Sequence, residues 1–297
     1  MARRKRSAVS LVRASLLGLS ALACRGPQPP SPQAAATSTP SSAASAAPAV
    51  SVSSAAGAVP YTATNELEPL PEPKLMSLPL QGFQPVLVHV PVGARSPRPV
   101  VVALHGNFDR ADWQCGIWGE HFQDRAFIVC PQGILRTDVP RSWDRWEYAS
   151  QKAVKAELTL ALAALEQRFG KYLASAPRVL LGFSLGAIYG APIAREASSG
   201  FSRLVLIEGG QAGWSTHTAK QFVARGGERL LFACGQSACL NQAKGLAPLL
   251  TRAGLSARFG GSAKEGHTYT GGVAQVVIDN LDWLLEPSAA PSGTVPQ

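Results

Sequence analysis

Short, continuously apolar runs alternate with longer segments of mixed polarity from about residue 84 to residue 285. Runs that are apolar on both faces are typical of strands buried inside a parallel sheet. Such runs occupy residues 99–104, 127–130, 178–181, 203–207 and 229–234. An alternating run at residues 84–91 and a short run at residues 256–259 predict two more strands.

The segments between these runs favour helices. The clearest, residues 152–169, carries an apolar stripe at helical spacing and is followed by Gly170, a good C-terminal stop. Further helices are predicted at residues 112–124, 187–197, 240–253 and 273–285. Strands that alternate with helices predict one α/β domain, with a mostly parallel central sheet and helices on both faces.

Both ends of the chain differ in composition from this central region. Residues 1–23 combine a cationic start with an apolar run too short for a stable membrane span, which predicts an export signal peptide. Residues 24–66 are dominated by Pro, Ala and Ser and predict a disordered linker, because they cannot bury enough apolar surface to fold. The catalytic domain is then expected at residues 67–286, and a disordered tail at residues 287–297.

Two processing outcomes fit the export segment. Ala21-Leu22-Ala23 satisfies the small-x-small rule for ordinary signal cleavage, and the same residues before Cys24 resemble a bacterial lipobox. We favour the second outcome because the linker follows directly. A lipid on Cys24 would then tether the protein to a membrane of the bacterial cell envelope, and simple secretion is the alternative.

The net charge of +9 does not indicate a nucleic-acid-binding protein. Much of it comes from the export segment, where Arg3, Arg4, Lys5, Arg6 and Arg13 are not balanced by any acidic residue. The rest of the chain is mildly basic and holds no basic run interleaved with aromatic residues. We therefore expect no nucleic-acid partner.

The cysteines other than Cys24 are Cys115, Cys130, Cys234 and Cys239. An even number in an exported protein predicts disulfides, and four cysteines allow three pairings. We favour the local pairing, Cys115 with Cys130 and Cys234 with Cys239, and free buried thiols are the alternative. A zinc site is not expected, since no histidine lies at ligand spacing from either pair.

A serine between two glycines follows one of the predicted strands. The sequence G-F-S-L-G centred on Ser184 comes after the apolar run at residues 178–181 and before the predicted helix at residues 187–197. This is the G-x-S-x-G pattern of a nucleophile elbow, a turn so tight that neighbours with a Cβ would collide with the serine backbone. The alternative is a glycine-rich turn that merely contains a serine, so the context in the chain has to decide.

Three separated segments together resemble the α/β-hydrolase family over about residues 80–286. They are a Leu-His-Gly sequence that ends at Gly106 after a central strand, the G-x-S-x-G sequence at Ser184, and a Gly-His pair at His267 after the last strand. Their order along the chain is the one that this fold requires. The resemblance implies an α/β-hydrolase fold with Ser184 as the nucleophile of a serine hydrolase.

A serine hydroxyl is a weak nucleophile and needs a base within hydrogen-bond reach. The resemblance implies that this base is His267, because the family places it after the last strand. His217 is the other histidine after Ser184. It lies in residues 211–227, a segment that we expect to wall the cleft or form a mobile lid.

The acid that orients the base is the least defined part of the site. Residues 235–239, where the family usually has it, contain no carboxylate. The carboxylates between the serine and His267 are Glu196, Glu208, Glu228 and Glu265. We favour Glu208, because it follows the strand at residues 203–207 on the same sheet edge as the elbow, as the acid does in some relatives. A serine–histidine dyad, or a neutral orienting residue such as Gln236, stays open.

By the same resemblance, an oxyanion hole is formed by the backbone N–H of Leu185 and that of Asn107 or Phe108. Asp109 and Asp112 either shape this loop or cap the helix that follows, and we favour the capping role. The aromatic residues of the irregular segment at residues 134–150 are expected to line the acyl or alcohol pocket; they are Trp143, Trp146 and Tyr148.

These patterns predict an exported serine hydrolase that cleaves a small-molecule or polymeric ester through an acyl-enzyme. The mechanism needs no cofactor and no metal. A peptidase or thioesterase of the same fold is the enzymatic alternative. The missing acid at the usual position leaves open a catalytically inactive, surface-tethered binding protein on a hydrolase scaffold.

Overall fold

The apolar runs form strands of one central sheet in a computed structural model that describes residues 66–287. The strands, including a small separate hairpin, are β1 (Leu75–Leu78), β2 (Val86–His89), β3 (Arg98–Leu104), β4 (Phe127–Cys130), β5 (Ile134–Leu135), β6 (Trp146–Glu147), β7 (Leu173–Phe183), β8 (Arg203–Ile207), β9 (Arg229–Cys234) and β10 (Ser256–Gly261). The helices are α1 (Ala111–Phe122), α2 (Gln151–Phe169), α3 (Leu185–Ala194), α4 (Thr216–Ala224), α5 (Ser237–Gly245), α6 (Ala247–Arg252), α7 (Gly271–Ile278) and α8 (Leu281–Leu285).

Eight strands lie side by side in the order β1-β2-β4-β3-β7-β8-β9-β10, and β5 pairs only with β6. The pairs β1–β2 and β2–β4 are antiparallel, and every pair from β4 to β10 is parallel. Parallel neighbours need crossover connections, which place helices over the sheet faces. Helices α1, α7 and α8 cover one face, and α2 to α6 cover the other. The predicted fold class is confirmed.

The strands of the sheet centre are apolar on both faces because both faces are covered. In β3, Val101 and Ala103 pack under α1, α7 and α8, whereas Val100, Val102 and Leu104 face the opposite helices. Each of these side chains is buried. Burial of a Val or Leu side chain stabilises the fold by about 1.5–3 kcal/mol, so the runs that predicted the strands also hold the layers together.

The predicted bounds of β4, β8 and β9 are confirmed, whereas other elements differ from the prediction. The strand β1 was not predicted; it is a short edge strand with mostly exposed side chains, so it has no buried apolar run. The helix expected at residues 240–253 is divided into α5 and α6, because Pro248 lies in the first turn of α6 and cannot continue the α5 hydrogen bonds. The helix expected at residues 273–285 is divided at Asn280, whose side chain donates to the carbonyl of Val276 at 2.7 Å.

The segment at residues 211–227, expected to wall the cleft or form a lid, contains α4. This helix packs on the core through Ala219 and Phe222. None of the helices within residues 66–287 has the length and apolar character needed to cross a bilayer. Residues 1–65 and 288–297 lie outside the described residues. They include the predicted export signal, Cys24, nearly all of the predicted linker and all of the predicted tail except residue 287.

His89, in β2, is a buried histidine without a hydrogen-bonding partner. Its side chain is 4% exposed, and neither ring nitrogen has a partner among the described residues. The ring packs against Gly119 of α1, where an added Cβ would lie 2.4 Å from it. Burial, with a smaller contribution from the charge of Lys74, lowers the pKa of His89 from 6.5 to about 4. The ring is therefore neutral at pH 7.

We expect His89 to make the free energy of unfolding depend on pH. The unfolded chain binds this proton near pH 6.5 and the folded protein only near pH 4. The contribution is therefore complete above about pH 6.5 and falls by about 3 kcal/mol as the pH drops to about 4. The variant His89→Phe should flatten this part of the curve in urea unfolding between pH 4 and 7. His217→Phe, at an exposed position of α4, serves as the control substitution, and equal slopes for the wild type and His89→Phe would contradict the assignment.

Candidate active site

Ser184 lies in a strained turn between β7 and α3. Its φ is +51° and its ψ is −114°, a conformation that residues with a side chain rarely adopt. Two glycines make the turn possible. A Cβ on Gly182 would lie 2.6 Å from the carbonyl oxygen of Gly186, and a Cβ on Gly186 would lie 2.3 Å from that of Leu104. The backbone N–H of Ser184 donates to the carbonyl of Ile207 at 2.9 Å, which holds the turn against β8.

His267 contacts the serine. Its Nε2 atom lies 2.8 Å from Ser184 Oγ, and its side chain is about half exposed. The ring packs against Phe183, with ring centroids 5.0 Å apart. His217, the other histidine considered, is exposed on α4 and has no such contact. The structure therefore brings together Ser184 and the histidine that the resemblance implied.

Glu208 follows β8 and lies on the other side of the imidazole. Its Oε2 atom is 3.2 Å from His267 Nδ1, and its side chain is 1% exposed. Its Oε1 atom accepts hydrogen bonds from the backbone N–H groups of Gly235, at 2.5 Å, and Gln236, at 2.9 Å. A buried carboxylate must be hydrogen-bonded to stay charged, and these two donors meet that requirement.

The other carboxylates between Ser184 and His267 are engaged elsewhere. Glu228 forms an ion pair with Arg203, and Glu196 forms one with Lys155. The carboxylate of Glu265 lies against the glycines that begin α7. Of the acids considered, Glu208 is thus the one in hydrogen-bond contact with the imidazole.

The backbone donors expected to form the oxyanion hole are available. Leu185 is the first residue of α3, and its N–H makes no hydrogen bond within the described part of the chain; the same is true of Asn107 and Phe108. Phe108 has a φ of +62°, which turns the loop after β3. Arg136 braces this loop: it donates to Asn107 Oδ1 at 2.5 Å and stacks 4.0 Å above the Phe108 ring.

Asp109 connects the two loops of the site. The expectation that it caps α1 was wrong: Arg110 holds that position, and the Asp109 side chain is buried. Its Oδ2 atom accepts from the N–H of Gly106 at 3.3 Å and from Gln114 at 3.0 Å, and its Oδ1 atom accepts from the hydroxyl of Tyr269 at 3.1 Å. Burial, with the nearby Asp109 carboxylate, raises the pKa of Tyr269, which therefore keeps its proton.

The other predicted cap, Asp112, lies in the first turn of α1 without a capping hydrogen bond to the backbone and pairs with Arg110 instead. The sequence offered no signal for Tyr269, because Asp109, which accepts its hydrogen bond, lies 160 positions away in the chain. Tyr269 is thus the supporting residue of the site that sequence reasoning missed, whereas for Asp109 the less favoured alternative, a role in shaping the loop, agrees with its contact to Gly106.

The aromatic residues expected to line the pocket have different environments. Trp143 is exposed, and Trp146 is half-buried beside the loop after β3, where its backbone N–H donates to the carbonyl of Asp109. The indole N–H of Trp146 donates to Asp144 Oδ1. The prediction for Tyr148 was wrong, because its side chain is 3% exposed. Its hydroxyl accepts from the N–H of His105 at 3.1 Å and donates to the carbonyl of Pro131 at 3.1 Å. Tyr148 therefore supports residues 105–108, the expected oxyanion loop, from inside, and its side chain is closed off from solvent.

Both expected cysteine pairs are joined. Cys115–Cys130 links α1 to the end of β4 across a sequence separation of 15, and Cys234–Cys239 links the end of β9 to α5 across a separation of 5. Chain-entropy arguments assign them about 3 and about 2 kcal/mol of stabilisation. Within residues 66–287, the one group with metal-ligand proximity is Glu208 with Cys234 and Cys239. The two sulfurs of that group are bonded to each other, so they are not available as thiolate ligands.

No protein-family model and no curated protein matches the sequence. Solved structures do share its fold. TT1662 from Thermus thermophilus is 19% identical to this chain, with a TM-score of 0.51. The fluorophosphonate-binding serine hydrolase FphF from Staphylococcus aureus is 13% identical, with a TM-score of 0.53. S-formylglutathione hydrolase (FrmB) from Staphylococcus aureus is 13% identical, with a TM-score of 0.50. Each match covers 72% of this chain and 98% of the other. The chain has the α/β-hydrolase fold.

We expect the elbow to reject a side chain at Gly186. The variant Gly186→Ala should lower the free energy of unfolding by about 1–3 kcal/mol, because its Cβ would overlap the carbonyl oxygens of Leu104 and His105. The matched control is Gly116→Ala, in the exposed part of α1, where a Cβ meets nothing within 4 Å. That change should instead stabilise the protein by about 0.5–1 kcal/mol. Urea unfolding measures both, and a tolerated Gly186→Ala would contradict the described elbow geometry.

Proposed function

We propose that the protein is an exported serine hydrolase that cleaves an ester through a covalent acyl-enzyme on Ser184. One observation carries the proposal: Ser184 Oγ, both ring nitrogens of His267 and Glu208 Oε2 form a continuous series of contacts of 2.8 and 3.2 Å. Nucleophile, base and orienting acid in this geometry are the parts that acyl transfer requires.

The acceptor character of Glu208 determines the tautomer of His267. An ionised carboxylate only accepts hydrogen bonds, so the imidazole proton is on Nδ1. The lone pair of Nε2 then faces Ser184 Oγ. In this tautomer the imidazole can take the hydroxyl proton, and the carboxylate stabilises the imidazolium that results.

The reaction proceeds in two halves. Ser184 Oγ attacks the ester carbonyl while its proton moves to His267 Nε2, and the negative oxygen accepts from the N–H of Leu185 and that of Asn107 or Phe108. The tetrahedral intermediate collapses, and His267 gives the proton to the leaving alcohol. A water molecule then attacks the acyl-enzyme with His267 again as base, which releases the acid and restores the Ser184 hydroxyl.

Exposed apolar side chains near the elbow support an apolar acyl or alcohol group in the substrate. Ile188, one turn of α3 after Ser184, is 53% exposed, and Phe108 of the oxyanion loop is 41% exposed. The substrate in this proposal is a small-molecule or polymeric ester. A lipid on Cys24 would hold the enzyme at the bacterial cell envelope.

The named functions of the structural neighbours are consistent with ester or thioester chemistry. One is a fluorophosphonate-binding serine hydrolase and another is an S-formylglutathione hydrolase. A thioesterase or peptidase uses the same groups, and a panel of ester, thioester and amide with one acyl group separates the three by their kcat/KM values. An inactive binding protein is disfavoured, since Glu208 offers His267 the carboxylate that residues 235–239 lack.

We expect a fluorophosphonate probe to label the wild-type protein on Ser184. Labelling should be absent in Ser184→Ala and strongly slowed in His267→Ala, because the hydroxyl is unreactive without its base. Two variants of exposed residues, Ser256→Ala and His217→Ala, are the matched controls and should label at the wild-type rate. Equal labelling of Ser184→Ala, or none of the wild type, sinks the enzyme proposal.

The role of Glu208 has a separate test. Glu208→Gln should reduce kcat by about 10²–10⁴-fold, because the amide cannot stabilise the imidazolium. Its melting temperature should stay close to the wild-type value. Glu265→Gln is the control, since this carboxylate is near His267 in sequence but does not contact the ring. An unchanged kcat in Glu208→Gln removes it from the relay.

A further inference from the structure

We propose that the Cys234–Cys239 disulfide positions the Glu208–His267 pair, so that turnover depends on this bond in addition to the three relay residues. The inference rests on the proposed function. It concerns how the acid and the base are held at their working distance.

The disulfide lies directly beside the acid. It joins the last residue of β9 to the first turn of α5 and encloses residues 235–238 in a small ring. A carboxylate oxygen of Glu208 and the two sulfur atoms lie within 4.8 Å of one another. The bond therefore forms part of the pocket that surrounds the carboxylate.

The enclosed ring supplies both donors to that carboxylate. The N–H groups of Gly235 and Gln236 point at Glu208 Oε1, at 2.5 and 2.9 Å. This is the segment where the family usually has its acid, and here it contributes donors instead of a carboxylate. The position of Glu208 thus depends on the backbone of a ring that the disulfide closes.

The same ring holds the loop of the base. The carbonyl of Gly235 accepts from the N–H groups of Glu265, at 3.1 Å, and Gly266, at 3.0 Å. Gly266 directly precedes His267. Residue 235 has no room for a side chain, since an added Cβ would lie 2.2 Å from the carbonyl oxygen of Gly266.

Gly235 therefore binds the acid through its N–H and the loop that carries the base through its C=O. A shift of Gly235 changes the distance between Glu208 and His267, and misplacement of a catalytic group by about 1 Å costs on the order of 10²-fold in rate. A covalent ring restricts such shifts before substrate binds. Both cysteines are buried, so the disulfide offers no surface for substrate binding, and the expected loss is in kcat rather than in KM.

The test compares the removal of each disulfide in the full chain. Cys234→Ala/Cys239→Ala should lower kcat about tenfold or more with little change in KM. Cys115→Ala/Cys130→Ala is the matched control: it should keep kcat but lose more in melting temperature, because its bond closes the longer loop. Equal kcat values in wild type and Cys234→Ala/Cys239→Ala, or equal kcat losses in both double variants, overturn the inference.

A double-mutant cycle separates positioning from general loosening. In the Glu208→Gln background the relay is already impaired, so removal of Cys234–Cys239 should cost little further activity. Losses that multiply independently in the combined variant contradict the inference, because the disulfide would then act through something other than Glu208.

Reduction gives a readout that does not depend on substitution. In Cys115→Ala/Cys130→Ala, a dithiol such as dithiothreitol reduces the remaining bond to two thiols and is itself oxidised to a cyclic disulfide. Activity should fall and return on reoxidation, whereas Cys234→Ala/Cys239→Ala should not respond. If the wild type is active and labelled by the fluorophosphonate, but neither substitution nor reduction of Cys234–Cys239 changes the activity, this inference alone is overturned. A wild type without labelling at Ser184 overturns the proposed function and this inference with it.

Discussion

Two parallel strands that end side by side determine the geometry of the site. Ser184 follows β7 and Glu208 follows β8, and both have a φ of +51°. The backbone N–H of each residue also donates a hydrogen bond to a carbonyl of the next strand, from Ser184 to Ile207 and from Glu208 to Ala233. The last bond of each sheet ladder thus lies at the residue where the chain turns out of the sheet. Because the rigid sheet fixes where these turns occur, Ser184 and Glu208 are placed by backbone geometry before any side-chain contact forms.

Because Glu208 follows β8, the loop after the neighbouring strand β9 contributes hydrogen-bond donors rather than a carboxylate. A buried carboxylate needs donors, and the loop after β9 supplies them through Gly235 and Gln236. Residues 235–239, where the family usually has its acid, therefore supply hydrogen-bond donors to a carboxylate that comes from one strand earlier. Charge and its compensation remain within one buried cluster, which is the condition for an ionised carboxylate away from water.

The oxyanion loop depends on buried polar residues on both of its sides. Asp109 joins Gly106 to Tyr269 and so links this loop with the segment that carries the base. On the other side, Tyr148 connects the start of the loop to Pro131. Glu157 accepts from the next two N–H groups of that segment, and burial raises its pKa. The loop that we propose to bind the oxyanion is thus held in place by buried contacts, as electrostatic preorganisation requires.

The sequence alone predicted the strands of the sheet centre and the elbow at Ser184. These features are local: an apolar run marks a strand buried on both faces, and the G-x-S-x-G pattern reflects a steric conflict among neighbouring residues. His267 was expected as the base only through the resemblance to a family. The sequence reduced the acid to a short set of candidates, of which Glu208 was favoured from its place at a strand end. Only the tertiary structure decided that Tyr148 turns inward, that Asp109 joins two loops, and that Gly235 binds both Glu208 and the residue before His267. The hydrogen-bonding partners of a buried polar group depend on the packing of segments that are far apart in the chain. Tyr148 and His105 are 43 residues apart, and Asp109 and Tyr269 are 160 residues apart. Local sequence patterns therefore do not predict these partners.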